Sequence, residues 1–125
     1  MTSRRFELHL GETDYPDQLA SSPNPPAILY GVGDPSALAP GLAVIGARRA
    51  TPYGIAVAGL FAGWAARAGY VVISGGAIGC DQAAHTAALA ACGKTVSVMA
   101  GGADVPYPRA ASSLLQEVSL AGAVV

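Results

Sequence analysis

Short apolar runs alternate with amphipathic stretches along residues 41–125, and this alternation predicts the elements of the fold. The apolar runs are predicted strands, at residues 42–45, 70–74, 95–99 and 123–125. The stretches between them have apolar residues at helical spacing and are predicted helices, at residues 57–68, 81–92 and 110–121. A glycine follows each predicted helix, and we expect it to adopt the left-handed conformation in which the chain turns before a strand.

Strands that alternate with helices predict a parallel sheet, and continuous apolar runs are typical of strands buried on both faces. We therefore predict an α/β fold, a Rossmann-like three-layer α/β/α domain with a mostly parallel sheet, over residues 41–125. The chain ends on its fourth core strand, so we expect this domain to be truncated at its C-terminus and the chain to be a piece of a longer protein.

Residues 1–40 precede this domain and are rich in proline from residue 14 onward. Proline disfavours helix and central strand, so we expect an extended lead-in with at most one short strand, at residues 27–30. The lead-in is expected to pack on the core through its larger side chains, namely Tyr15, Leu19, Ile28 and Tyr30.

Composition narrows the class of protein. Apolar residues make up 52% of the chain and charged residues 12%, which argues against disorder. The formal net charge of −1 gives no overall attraction to nucleic acid. No apolar run is long enough to span a membrane, and the N-terminus lacks the apolar segment of a signal peptide, so we expect a cytoplasmic protein. With two histidines and no CxxC pattern, we expect neither a metal nor a cofactor.

Three glycine-bearing loops follow the predicted strands, at residues 46–54, 75–79 and 101–108. Parallel sheets bind ligands at the carboxyl ends of their strands, so all three loops lie at the expected binding edge. Dinucleotide binding is disfavoured because residues 31–36 lack the third glycine of that fingerprint and no acidic residue ends the strand at 95–99. Gly93-Lys94-Thr95 resembles the end of a P-loop, but it lies between a helix and a strand, the reverse of the required order.

The stretch from Ser74 to Gly79 has two interpretations. Backbone N–H groups at a helix start bind anions, and glycines allow a phosphate to approach the main chain. The same residues also suit a tight turn that ends in a helix cap. Arg48 directly follows the first core strand and suits bidentate phosphate contact, although a plain surface arginine on a loop is the commoner case. Arg109 has the same two interpretations.

Four further residues have a structural interpretation beside a functional one. Asp81 fits an N-cap or first-turn acid better than a catalytic carboxylate. His85 lies one helical turn later and fits a histidine held by a neighbour better than a catalytic base. Tyr53 and Tyr107 are candidates for base stacking, although aromatic packing against a loop is commoner.

These motifs together resemble the DprA/Smf family of DNA-processing proteins, and the matching residues extend through nearly the whole chain. The chain departs from the family pattern at Ala47, where a serine is usual, and at Cys80, where an aliphatic residue is usual. The matches are Tyr15-Pro16, Pro25-Pro26, Leu29-Tyr30, Gly33, Val44 to Arg48, Tyr53-Gly54, Val72 to Gly79, Asp81 to His85, Gly101-Gly102, Asp104 and Tyr107-Pro108.

The resemblance implies a non-enzymatic protein that binds single-stranded DNA, protects it during natural transformation and recombination, and assists loading of a RecA-type recombinase. It also implies a homodimer when the protein is full length. The family's Gly-Ser-Arg loop corresponds to Gly46-Ala47-Arg48, and its second glycine loop corresponds to Ser74–Gly79. The expected DNA- and phosphate-binding residues are Gly46, Ala47, Arg48, Ser74, Gly75, Gly76, Ala77, Gly79 and Arg109.

The alternative from another class is an enzyme, a nucleotide phosphoribohydrolase of the lysine-decarboxylase-like Rossmann group. Such enzymes carry a PGGxGTxxE-type loop, whereas Ser74 to Asp81 contains neither the proline nor the glutamate. A phosphate-binding module without turnover is a third possibility.

Overall fold

One six-stranded sheet runs through the described part of the protein, whose computed structural model describes residues 4–103 and 109–125. In space the strands lie in the order β1-β2-β6-β5-β4-β3. Strands β3 to β6 are parallel to one another. Strand β2 pairs with β6 in the antiparallel direction, and β1 pairs with β2, again antiparallel. The strands are β1 (Arg5–His9), β2 (Ile28–Gly33), β3 (Gly41–Ala43), β4 (Val71–Ser74), β5 (Thr95–Ser97) and β6 (Ala123–Val124).

Three helices connect the successive parallel strands and lie on one face of the sheet. Because β3 to β6 follow one another in sequence order, right-handed crossovers place every connecting helix on the same side. Val72 of β4 and Val124 of β6 pack under these helices. None of the helices in the described ranges has the length and apolar character that a bilayer span requires. The helices are α1 (Asp17–Ala20) in the lead-in, and then α2 (Pro52–Arg67), α3 (Cys80–Ala90) and α4 (Ser112–Ala121).

Residues of the lead-in cover the face of the sheet opposite the three helices. Val71 and Val96 of the sheet pack there against Ala37, which lies in a 3₁₀ turn at Pro35–Ala37. The Tyr15 side chain is buried, and its hydroxyl donates a hydrogen bond of 2.7 Å to the Pro26 carbonyl. The predicted α/β fold is therefore confirmed, with the difference that the third layer within the described residues is the lead-in rather than crossover helices. The reason is the unbroken strand order, which never sends a connection to the second face.

The lead-in also differs in detail from its prediction. The expected strand at residues 27–30 is β2, which extends to Gly33. Tyr30, expected as an anchor, is mostly exposed. The prediction of at most one strand in the lead-in is wrong, because residues 5–9 form β1 as well. Its side chains alternate, with Leu8 buried and Glu7 and His9 exposed, and this period of two is the signal that indicates the strand.

Small residues form the contact between α2 and α3. Ala62, Ala84 and Ala88 are fully buried, and they let the two helices approach closely. The predicted helix at residues 57–68 is confirmed as α2, but the large residues whose spacing indicated it are not its buried face. Leu60, Phe61 and Trp64 are each about half exposed, because only small side chains fit in the close contact between α2 and α3.

The glycines after the helices serve two different purposes. Gly69 has the expected left-handed conformation, with φ of +89°. After α3 it is Cys92 that turns left-handed, with φ of +57°, while Gly93 provides space: a Cβ there would stand 2.6 Å from the Ala66 Cβ. Gly122 is extended and leaves no room for a side chain against the Thr95 backbone. The prediction of a left-handed glycine is thus correct after α2 and wrong after α3 and α4.

A buried histidine joins α3 to the sheet. His85 is fully buried, and its Nδ1 lies 2.7 Å from the Thr95 Oγ1. Because the Thr95 hydroxyl donates to the Val72 carbonyl at 2.7 Å, it accepts from His85, which places the ring proton on Nδ1. Nε2 is buried and has no partner among the described residues. Burial lowers the pKa of His85 from 6.5 to about 4, against a smaller opposing effect of Asp81.

We expect this histidine to make the protein sensitive to acid. Its pKa is lowered in the folded state, so the contribution of neutral His85 is complete above pH 6.5 and is lost as the pH falls toward 4. Between these values the free energy of unfolding should fall by up to about 1.4 kcal/mol per pH unit. Urea unfolding at pH 7.5, 6 and 5 measures this loss, which should be smaller in His85→Gln. His9→Gln is the matched control, because His9 is exposed and should leave the slope unchanged. Equal slopes for wild type and His85→Gln would contradict the assignment.

Candidate functional site

Two loops meet at the carboxyl edge of the parallel strands, and one carboxylate holds them together. We call residues 44–51, after β3, the arginine loop and residues 75–79, after β4, the glycine loop. Asp81 is buried in the first turn of α3, and its two carboxylate oxygens accept from different loops. Oδ1 accepts from the Gly46 N–H at 3.3 Å and Oδ2 from the Gly75 N–H at 3.0 Å. The start of α3 therefore fixes both loops relative to the sheet.

The main chains of the two loops are also in direct contact. The Cys80 N–H donates to the Ala47 carbonyl at 3.4 Å. Gly79 has φ of +96°, and a Cβ there would overlap the Ala47 carbonyl and stand 2.6 Å from the Arg48 carbonyl oxygen. A Cβ at Gly46 would in turn stand 2.6 Å from the Cys80 Sγ. These glycines are required by the packing of one loop on the other, which is the structural interpretation of the glycine pattern.

Polar side chains complete this internal framework. Ser74 is buried, and its hydroxyl donates to the Val44 carbonyl at 2.6 Å, so it links the ends of β3 and β4. The Gln82 Nε2 donates to the Gly76 carbonyl at 3.2 Å. Thr51 is the N-cap of α2 and accepts from the Gly54 N–H at 3.0 Å. Each contact satisfies a loop group internally and leaves fewer conformations open to the two loops.

The outer surface of the same loops carries positive charge and free donors. Arg48 and Arg49 are exposed on the arginine loop. The N–H groups of Ala77, Ile78 and Gly79 have no acceptor among the described residues. They precede the first turn of α3, whose 11 residues place a positive dipole end at this point. Guanidinium groups and backbone N–H groups at one edge form an arrangement that can bind an anion.

The third predicted loop is only partly described. The chain that leads into it lies beside the glycine loop, because a Cβ at Gly76 would meet Met99 and the α4 residue Leu115 at 3.4 Å and 3.3 Å. Arg109 is exposed at the start of the 3₁₀ turn that precedes α4. No hydrogen bond or ion pair between described residues connects Arg109 to the arginine loop. Asp104 and Tyr107 lie outside the described residues.

The structure thus brings together most of the predicted site residues. Gly46, Ala47, and Arg48 lie against Gly75 to Gly79, as the spacing predicted for loops at one sheet edge. What the sequence analysis missed is the role of Asp81, which was expected to cap its own helix. Its partners Gly75 and Gly46 lie 6 and 35 residues away, and no short-range pattern indicates such contacts. His85 is held by Thr95, in agreement with its structural interpretation.

We expect Asp81→Asn to destabilise the protein. An asparagine has one acceptor oxygen, so one of the two loop N–H groups would face an amide NH₂ instead of an acceptor. Loss of a buried hydrogen bond to a charged group should lower the free energy of unfolding by about 2 kcal/mol. Urea denaturation followed through the single tryptophan measures the change. Asp14→Asn is the control, since Asp14 is exposed and should change stability by less than about 0.5 kcal/mol. Equal stability of Asp81→Asn and wild type would show that the two bonds do not hold the loops.

This chain resembles proteins of known sequence. Residues 7–125 match the family model described as DNA recombination-mediator protein A. The DNA processing protein DprA of Bacillus subtilis is 37% identical over 104 residues, which cover 82% of this chain and 35% of that protein. The chain spans between 21% and 35% of the length of the curated relatives that it matches.

Solved structures share the fold. DNA processing protein A from Streptococcus pneumoniae superposes with a TM-score of 0.86 and 31% identity, over 94% of this chain and 42% of that one. DNA processing protein A from Helicobacter pylori, described for its single-stranded DNA binding mode, gives a TM-score of 0.83 and 32% identity over 99% and 56%. The family match over residues 7–125, together with the shared fold, shows that this chain belongs to the DNA recombination-mediator protein A family.

Proposed function

We propose that this chain binds single-stranded DNA, and that it holds the backbone phosphates at the carboxyl edge of the sheet. The observation that carries the proposal is the attachment of the arginine loop to the glycine loop through Asp81. This attachment holds Arg48 beside the start of α3, so a phosphate at this edge has a guanidinium and helix N–H groups as partners. The function described for the Helicobacter pylori relative supports the choice of single-stranded DNA over other polyanions.

The proposed contacts differ in kind. Arg48 is the main charge, because its planar guanidinium matches two phosphate oxygens. Ala77 and Gly79 contribute N–H groups, whereas Gly46, Gly75 and Gly76 permit the close packing of the loops. Ala47 lies in the arginine loop but has no hydroxyl to donate to a phosphate. Arg109 is a second phosphate contact on the neighbouring loop.

Ser74 has an indirect role in this proposal. It is buried and already donates to the Val44 carbonyl, so it holds the edge of the sheet in shape beneath the bound backbone. Asp81 is likewise a positioning residue, since both of its oxygens accept from loop N–H groups. A carboxylate occupied in this way repels a phosphate less than a free one, because two donors oppose its charge.

The wider role belongs to the longer proteins of which this chain matches a part. We propose that residues 41–125 form the DNA-binding domain, that residues 1–40 pack on it, and that it acts in the cytoplasm. We propose that the full-length protein forms a homodimer, and that its partner in protecting DNA and assisting recombination is a RecA-type recombinase. Binding without turnover is proposed, because His85 is enclosed in the core and both Asp81 oxygens already accept from loop N–H groups.

We expect Arg48→Ala to weaken binding of single-stranded DNA and to reduce its dependence on salt. Loss of a charged hydrogen bond should lower the affinity about tenfold. The slope of log K against log salt should fall in magnitude by about 0.7, the value for one phosphate contact to a single strand. Fluorescence anisotropy of a labelled oligothymidylate between 50 and 200 mM salt (about the range over which phosphate contacts weaken) measures both.

Arg67→Ala is the matched control for that experiment. Arg67 is exposed in the last turn of α2, so it lies at the opposite edge of the sheet while its loss changes the net charge equally. We expect it to keep the wild-type slope. Arg48→Ala with the affinity and slope of Arg67→Ala would exclude Arg48 as a phosphate contact.

A second experiment tests binding without turnover. We expect no free base when the protein is incubated with nucleoside monophosphates, because the glycine loop lacks the glutamate of the phosphoribohydrolase pattern. Chromatographic separation of base from nucleotide detects the product directly. Release of base above a buffer control, and its loss in Asp81→Asn, would support the enzyme instead.

A further inference from the structure

Three large apolar side chains are exposed at the same edge as the proposed phosphate site. The exposed fractions are 76% for Ile45, 79% for Tyr53 and 55% for Ile78. Single exposed apolar residues are common and need no explanation. Here, however, all three belong to the two loops or to the first turn of the helix that follows them, beside two exposed arginines.

Contacts around Cys80 bring the three segments together. A Cβ at Gly46, the residue after Ile45, would stand 2.6 Å from the Cys80 Sγ. A Cβ at Gly54, the residue after Tyr53, would stand 3.8 Å from the same sulfur. Ile78 is two residues from Cys80 in the chain. The chain segments that carry the three exposed side chains thus meet at one buried residue, and two of these segments are the arginine loop and the start of the helix that follows it.

Tyr53 contributes little to the fold. Its hydroxyl has no hydrogen bond among the described residues, and its ring is mostly in solvent. It lies at the second position of α2, directly after the capping residue Thr51 and Pro52, so its backbone is fixed. A tyrosine offers a flat apolar face and has only two side-chain torsions to order on binding. This combination suits recognition better than core packing.

We propose that Ile45, Tyr53 and Ile78 form a surface that contacts the nucleobases of single-stranded DNA, with the Tyr53 ring as the stacking platform. The inference rests on the proposed binding of phosphates by the adjacent loops. A single strand whose phosphates lie on Arg48 and on the start of α3 carries unpaired bases within reach of neighbouring side chains. The surrounding positive charge and N–H donors are complementary to a polyanion, which favours nucleic acid over an apolar protein segment as the occupant.

Stacking on this surface would tolerate any base, because every base has a π-face. The two isoleucines add apolar contact without hydrogen-bond donors or acceptors. The surface therefore adds affinity for bases as a class and distinguishes a single strand from a duplex, in which the bases are already stacked and paired. Sequence preference should remain modest.

The experiment compares two strands of equal length and charge, an oligothymidylate and a strand of abasic sites. We expect the wild-type protein to bind the thymidylate more tightly than the abasic strand. In Tyr53→Ala the ratio of these two affinities should be about tenfold smaller. Tyr53→Phe retains the ring and should retain the preference. Tyr70→Ala is the matched control, because Tyr70 is 60% exposed but precedes β4 at the opposite edge of the sheet. Circular dichroism confirms that the variants are folded.

The outcomes separate this inference from the proposed function. Wild-type protein that binds both strands equally would overturn the base-contacting surface and leave phosphate binding intact. If Tyr53→Ala keeps the preference for thymidylate, Tyr53 does not have the proposed role. The same conclusion follows if Tyr70→Ala loses as much of the preference as Tyr53→Ala does. If neither strand binds, both proposals fail together. Loss of preference in Tyr53→Ala alone, with the wild-type salt slope, supports the surface.

Discussion

The two hydrogen bonds accepted by Asp81 are the interaction on which the functional edge depends. The chain fixes each of the two loops only at its ends, by a strand and by the helix that follows, and neither loop has regular structure of its own. A buried carboxylate that accepts from Gly46 and Gly75 costs solvation, which the two N–H donors offset, and it fixes two loops from a single helical position. Without it, the main-chain contacts of Gly79 and Cys80 with Ala47 and Arg48 would have to position the arginine loop relative to α3.

The same edge shows how buried and exposed polar groups divide their roles. The buried ones, Ser74 and Asp81, bond to backbone groups of the strand ends and loops, so they shape the sheet edge and the helix start. The exposed ones, Arg48 and Arg49, have no side-chain hydrogen bond or ion pair with any residue in 4–103 or 109–125 and face solvent. The buried groups of this edge are held in place by hydrogen bonds, and the charged groups are exposed to solvent. A ligand therefore has fewer groups to order when it binds.

Close helix packing accounts for a second feature of the surface. Because alanines and glycines fill the contact between α2 and α3, the larger residues of α2 are turned outward. Tyr53 at the start of α2 is exposed beside the arginine loop, while Leu60, Phe61, and Trp64 are exposed farther along the helix. The apolar surface of α2 is thus a consequence of how this helix approaches α3, not only of the high apolar content of the chain.

The sequence by itself determined the order of strands and helices from residue 41 onward and the position of the glycine loops at one sheet edge. Apolar periodicity and the single direction of βα connections are local properties, so they can be read from neighbouring residues. Only the tertiary structure decided that all three crossover helices share a face, that Asp81 links two loops, and that Gly79 and Gly93 are required for space. Those features depend on residues that are distant in sequence and meet only after the sheet has formed, and no local pattern contains that information.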